Sequence, residues 1–125
     1  MDELLRAVLE PVVELKRRYD WPGVEEGVAW GRPSLVGRGR KFIVSAKAED
    51  ELVLRVDMVE KEMLMQTMPH AFYQTDHYRG YPAVLVRLSA VDMDLLAELI
   101  EREWRRTAKK KDVVDYDSRP SRPGR

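Results

Sequence analysis

The sequence feature that most constrains the fold is a block of short apolar runs, joined by brief polar connections, in the first half of the chain. Residues 28–30, 34–36, 41–46 and 52–56 each have the length and the side-chain types of a β-strand. Consecutive strands with short connections are typical of an antiparallel meander. The block therefore predicts an antiparallel sheet.

Helices are predicted on both sides of this block. Residues 2–19 carry an apolar stripe at helical spacing, Asp57 starts a second helix with a capping box, and Asp92 caps a third. Residues 72–75 are a candidate short strand, and residues 83–88 are so continuously apolar that we expect them at a central position in the sheet. This order predicts a single α+β domain, in which an antiparallel sheet of about five strands is flanked by helices.

Composition excludes several classes of protein. The chain has no cysteine, so disulfides, thiol catalysis and cysteine-held metals are ruled out. His70 and His77 are the only histidines, and their spacing matches no metal-ligand motif, so we expect no metal site. No catalytic or cofactor-binding motif is present, and we expect a nonenzymatic protein without catalytic residues or a cofactor. No apolar run is long enough to span a membrane, and the acidic, amphipathic start is not a signal peptide, so the expected location is the cytoplasm.

Charge is unevenly distributed along the chain, although its formal net value is zero. Residues 105–125 carry +5 and residues 1–104 carry −5. We therefore predict a folded domain over residues 1–106 and a basic, disordered tail over residues 107–125, since the tail has few apolar groups to offset the entropy of ordering. The tail is interpreted as a solvated segment, and contact of its basic residues with phosphates is the alternative.

A second basic cluster is predicted at the tip of a hairpin. Gly37 and Gly39 allow a tight reversal, and Arg38, Arg40 and Lys41 place positive charge there. Such a tip suits contact with phosphates or a minor groove, and a charged turn facing water is the structural alternative.

Two further stretches are rich in chemically useful side chains. Residues 75–82 combine Asp76, His77 and Arg79 with two tyrosines, which suits base stacking and phosphate contact or, equally, a structural corner. Residues 30–34 place Trp30 beside a Gly-Arg-Pro turn, where it forms the floor of a site or anchors the end of a strand.

Together these segments resemble the MmcQ/YjbR family. The likeness is carried by residues 23–34, 41–42, 52–56, 75–86 and 104–105, and it covers about residues 5–106. It implies a compact fold similar to that of the CyaY/frataxin group, with an antiparallel sheet flanked by helices. Members are small bacterial cytoplasmic proteins, mostly without an established role, and some are described as DNA-binding through hairpin loops.

The resemblance also implies a set of candidate site residues. The similarity to frataxins also raises the question of iron binding. The first helix lacks the dense acids with which frataxins hold iron, so iron binding is not expected. We expect a monomer that makes weak, salt-dependent contact with DNA. The candidate nucleic-acid contacts are Arg32, Arg38, Arg40, Lys41, His77, Tyr78, Arg79 and Tyr81.

The alternative is a module that binds a small molecule or a protein partner. Its pocket would lie between the turn at residues 30–33 and the loop at residues 75–82. The residues expected to line that pocket are Trp30, Arg32, Asp76, His77 and Arg79.

Overall fold

The computed structural model describes residues 3–120, which form four helices and six strands. The helices are α1 (Glu3–Tyr19), α2 (Met58–Thr67), α3 (Met93–Thr107) and α4 (Lys110–Ser118). The strands are β1 (Glu25–Ala29), β2 (Arg32–Val36), β3 (Ile43–Ala48), β4 (Glu51–Arg55), β5 (Phe72–Tyr73) and β6 (Ala83–Arg87). None of the helices in the described part of the chain is long and apolar enough to cross a membrane.

The six strands form one sheet in the order β1-β2-β3-β4-β6-β5, and every neighbouring pair is antiparallel. This confirms the predicted α+β class and the antiparallel meander. β6 lies inside the sheet, between β4 and β5, as its apolar sequence predicts. The sixth strand is the two-residue β5, which pairs with Val86 and Leu85 of β6.

One face of the sheet packs against helices. Leu35, Val44, Leu54 and Val84, one from each of four strands, project from this face and are fully buried. α1 lies across β2, β3 and β4. This face therefore supplies most of the hydrophobic core.

The opposite face is covered by a loop rather than by a helix. Side chains alternate along a strand, so Val53 and its register partner Leu85 point away from the helices. Ala83 lies beside them, and Tyr78, from the loop between β5 and β6, packs on all three. The loop over residues 74–82 thus acts as the cover of this second face.

The basic C-terminal segment differs from its prediction. Disorder over residues 107–125 is wrong for α4, and residues 121–125 lie outside the described part of the chain. Tyr116 is 1 % exposed, its ring meets the Trp104 ring edge-on at 5.1 Å, and its hydroxyl donates to Glu101 Oε1 at 2.5 Å. Tyr116 and its contacts help to hold this short helix, although the overall apolar content of α4 is low.

Candidate functional site

A two-residue turn places Trp30 at the end of the β1–β2 hairpin. Ala29 pairs directly with Arg32, so Trp30 and Gly31 alone make the reversal, with φ angles of 55° and 73°. Two positive φ values are the signature of a type I′ turn. A bulky residue is rarely found in this left-handed region, and such conformations cluster at functional sites. Trp30 is 41 % exposed, whereas the other two tryptophans, Trp21 and Trp104, are buried.

The loop that follows β5 presents a second set of rings near this turn. A short 3₁₀ turn, Asp76–Tyr78, is closed by the Tyr78 amide donating to the Thr75 carbonyl at 2.9 Å. Tyr78 points into the sheet, while Tyr81 remains 37 % exposed. The rings of Tyr78 and Tyr81 meet edge-on at 6.3 Å, and His77 meets Tyr78 edge-on at 5.1 Å.

A buried lysine holds this loop in place. Lys61 of α2 is 1 % exposed, and its Nζ donates to the carbonyls of Tyr78 and Tyr81 at 2.7 Å each. Burial lowers the pKa of Lys61. The sequence analysis missed this residue. The sequence does carry one indication of its burial: Lys61 lies one helical turn before Leu64, which places both residues on the core-facing side of α2.

The turn and the loop enclose a cleft of about 530 Å³. We call it the aromatic cleft, and it is lined by Trp30, Arg32, His77, Tyr78 and Tyr81. Segments almost fifty residues apart in sequence thus meet at one opening, because Arg32 projects from the face of the sheet that the 74–82 loop covers.

Arg32 is the one lining residue of the aromatic cleft with a fixed charge. Its guanidinium carbon lies 5.9 Å from the centre of the Trp30 ring, and its Nε donates to Ser45 Oγ at 3.5 Å. Ser45 Oγ in turn accepts from Ser34 Oγ at 2.9 Å. Within residues 3–120 Arg32 forms no ion pair, so most of its donors remain available to a ligand.

The predicted pocket is brought together only in part. Trp30, Arg32 and His77 do line the aromatic cleft, but Asp76 and Arg79 do not. These two pair with each other at 2.6 Å on the exposed side of the loop. Tyr78 and Tyr81, which the sequence analysis placed only among the nucleic-acid contacts, complete the lining instead.

The predicted basic hairpin tip is a 3₁₀ turn, Arg38–Arg40, between β2 and β3. Arg38 Nε donates to Asp112 Oδ2 of α4 at 3.0 Å, and an Arg40 guanidinium nitrogen donates to the Val28 carbonyl at 2.9 Å. Lys41 is exposed beside them. Two of the three cations at this tip are therefore directed back onto the domain.

The fold and the aromatic cleft define a small α+β domain whose open sheet carries a ring-lined cleft on one face. The sequence matches the YjbR family model over residues 19–106, and the chain belongs to that family. Among its relatives are the uncharacterized proteins Rv2570 of Mycobacterium tuberculosis and Mb2600 of Mycobacterium bovis. Each is 34 % identical over 111 residues, with 85 % of both chains covered.

A solved structure shares the fold. The crystal structure of the Deinococcus radiodurans protein DR2400, described with a DUF419 family domain, aligns with a TM-score of 0.59 at 22 % sequence identity. The alignment covers 90 % of this chain and 92 % of that one. At this identity the likeness establishes the fold, and the function must be argued from the site.

Proposed function

We propose that this protein is a binding module for a small molecule, which it holds in the aromatic cleft. The observation that carries the proposal is that exposed rings and Arg32, which has no acidic partner within residues 3–120, converge on one concave surface. Small-molecule sites are clefts of about 300–1,000 Å³, lined mainly by apolar and aromatic groups with a few placed polar ones. The aromatic cleft has this size and this composition.

The contacts of the hairpin tip support this function over the expected DNA contact. A basic hairpin that grips a duplex needs its cations available to phosphates. Here Arg38 is shared with Asp112, and Arg40 is shared with a backbone carbonyl. The groove beside them is lined by the acids Asp20, Glu25 and Glu26 as well as by Lys16, so the surface offered to a duplex is mixed in charge rather than basic.

The proposal is for binding rather than catalysis, because of where the loop directs its charged groups. Asp76 follows Thr75 and precedes His77, yet its carboxylate pairs with Arg79 outside the aromatic cleft. A carboxylate that orients a catalytic histidine must lie against its ring. His77 is therefore assigned to lining the cleft.

The test is a thermal-shift screen of the intact protein against metabolite-sized carboxylates, phosphates and neutral compounds, beside a 20-base-pair duplex at low salt. We expect a subset of the small molecules to raise Tm by mass action. Arg32→Ala and Tyr81→Ala should remove the shift. Arg79→Ala is the matched control, because Arg79 lies on the same loop but outside the cleft, and it should leave the shift intact.

The opposite pattern would overturn the proposal. It would consist of no shift with any small molecule, together with duplex binding that is lost in the Arg38→Ala, Arg40→Ala double variant. Duplex binding of that kind would show a strong dependence on salt, because each lost phosphate contact changes the salt slope by about 0.9.

A further inference from the structure

The geometry points to the ligand class of the aromatic cleft: a planar ring that carries one anionic group, either a carboxylate or a phosphate. This inference rests on the proposed function and narrows it. The ring would lie against Trp30 and Tyr81, and the anion would accept hydrogen bonds from Arg32.

The charge of the cleft favours an anion. No carboxylate lines it, and Arg32 lies half-buried without an ion pair in the described part of the chain. Glu51, an acid that projects from the same face of the sheet, is already engaged by Lys47 at 3.6 Å and by the Tyr73 hydroxyl. A guanidinium presents a planar fork of donors that matches carboxylate and phosphate oxygens. The site therefore holds a cation that has no carboxylate partner among residues 3–120.

The rings of the cleft favour a flat ligand. Trp30 and Tyr81 are partly exposed where they line it, and the third aromatic ring of the lining, that of Tyr78, is buried. Aromatic faces bind flat rings through stacked or edge-on contacts, each worth more than its buried area alone. Trp30 is also held in a left-handed turn that Asn or Gly would adopt more readily. The presence of a tryptophan in this unfavourable backbone conformation is better explained by a contact that its ring makes than by a requirement of the turn.

The number of cations limits the charge of the ligand. Among the lining residues only Arg32 carries a fixed positive charge, and the nearby Arg79 is directed away into its pair with Asp76. A ligand with several phosphates would leave charges without a partner, which is costly in a partly desolvated site. One anionic group matches one guanidinium.

The experiment is a titration of the intact, ¹⁵N-labelled protein followed by the Trp30 indole and Arg32 Nε signals. The probes are 2-naphthoate, its neutral analogue 2-naphthamide, the non-planar cyclohexanecarboxylate, and 2-naphthyl phosphate. Trp21 and Trp104 serve as internal references, because their indole N–H groups are hydrogen-bonded inside the domain to Glu101 and Pro22.

We expect naphthoate or naphthyl phosphate to bind at least about tenfold more tightly than naphthamide, since a charged acceptor strengthens the hydrogen bonds from Arg32. Which of the two binds more tightly identifies the anion. Cyclohexanecarboxylate should bind more weakly than naphthoate. Arg32→Gln should remove the preference for the anion while Trp30 still responds to the ring, and Arg79→Gln should change nothing.

Two contrary results are distinguishable. If naphthamide binds as tightly as naphthoate, the ligand class is wrong while the cleft remains a binding site. If no ring compound shifts the Trp30 signal, and the thermal-shift screen finds no other ligand that depends on Tyr81, both the class and the proposed function fail.

Discussion

Replacing Lys61 by methionine removes the ammonium that holds the loop over residues 74–82 and leaves an unbranched stem of similar length. In the native fold this ammonium is buried and donates to two backbone carbonyls, those of Tyr78 and Tyr81, at 2.7 Å each. Both residues line the aromatic cleft. The variant therefore tests whether one buried charge fixes the wall of the site.

The magnitude follows from these contacts. Hydrogen bonds from a charged donor contribute about 1.5–3 kcal/mol each. Two factors reduce the loss in the variant. A buried ammonium no longer has to be desolvated, and each carbonyl keeps a backbone donor, Tyr81 N at 3.0 Å for Tyr78 and Ala83 N at 2.8 Å for Tyr81. We expect the free energy of unfolding to fall by about 2–4 kcal/mol.

The assay combines urea unfolding with amide hydrogen exchange. Exchange of the Tyr78 and Tyr81 amides should accelerate more than that of β4, because the loop loses its anchor while the sheet keeps its ladder. Lys41→Met is the matched control, since Lys41 is exposed, and its stability should stay within about 0.5 kcal/mol of the native value. A Lys61→Met protein as stable as this control, with unchanged loop exchange, would refute the reasoning.

Three further predictions concern stability. Burial raises the pKa of Glu103 above its ordinary value of 4.5, so ionising this carboxyl costs more in the folded state than in the unfolded chain; as the pH rises above that value, Glu103→Gln should gain stability relative to the native protein, and a pH-independent difference in urea unfolding would contradict this. A chain ending at Ala108 loses α4 and its buried Tyr116, and calorimetry should show a loss of about 3–5 kcal/mol, whereas an unchanged Tm would mean that α4 contributes nothing. Gly37→Ala brings a Cβ within 2.9 Å of the Phe42 Cβ and should lower the free energy of unfolding by about 1–3 kcal/mol. Chemical unfolding measures this change, and a variant as stable as the native protein would contradict the prediction.

The fold was largely predictable because its signals are local. Strand runs with short connections indicate an antiparallel sheet, and a capping aspartate such as Asp57 marks a helix start, which its bond from the Glu60 amide confirms. The sheet has six strands where about five were predicted, and the two-residue β5 lies within residues 72–75, which were a candidate short strand. The α4 helix was missed because its order depends on Tyr116 meeting Trp104, a tertiary contact with little trace in the composition of the segment.

The site was predictable in its location but not in its full membership. The combination of side chains in each segment singled out the turn at Trp30 and the loop after β5, and both segments do line one cleft. It could not show that Asp76 and Arg79 would form an ion pair outside the cleft. Two side chains three residues apart on a tight turn can point either into a cleft or toward solvent, and the sequence does not distinguish these orientations. It also could not show that Lys61, between two glutamates on a helix, would turn inward.

The position of the aromatic cleft follows from how unequally the two faces of the sheet are covered. On the helical face, α1 spans β2, β3 and β4. On the other face the 74–82 loop packs over Val53 and Leu85, on the β4 and β6 side of the sheet. Toward β2 and β3 the matching register row is polar, with Ser34 opposite Ser45 and hydrogen-bonded to it at 2.9 Å. The cleft opens where the apolar cover ends and the polar row begins, so rings and a guanidinium meet there without competing with the core. A ligand with an apolar ring and one polar end matches that boundary, which is why the same residues carry both the proposed function and the ligand class inferred from it.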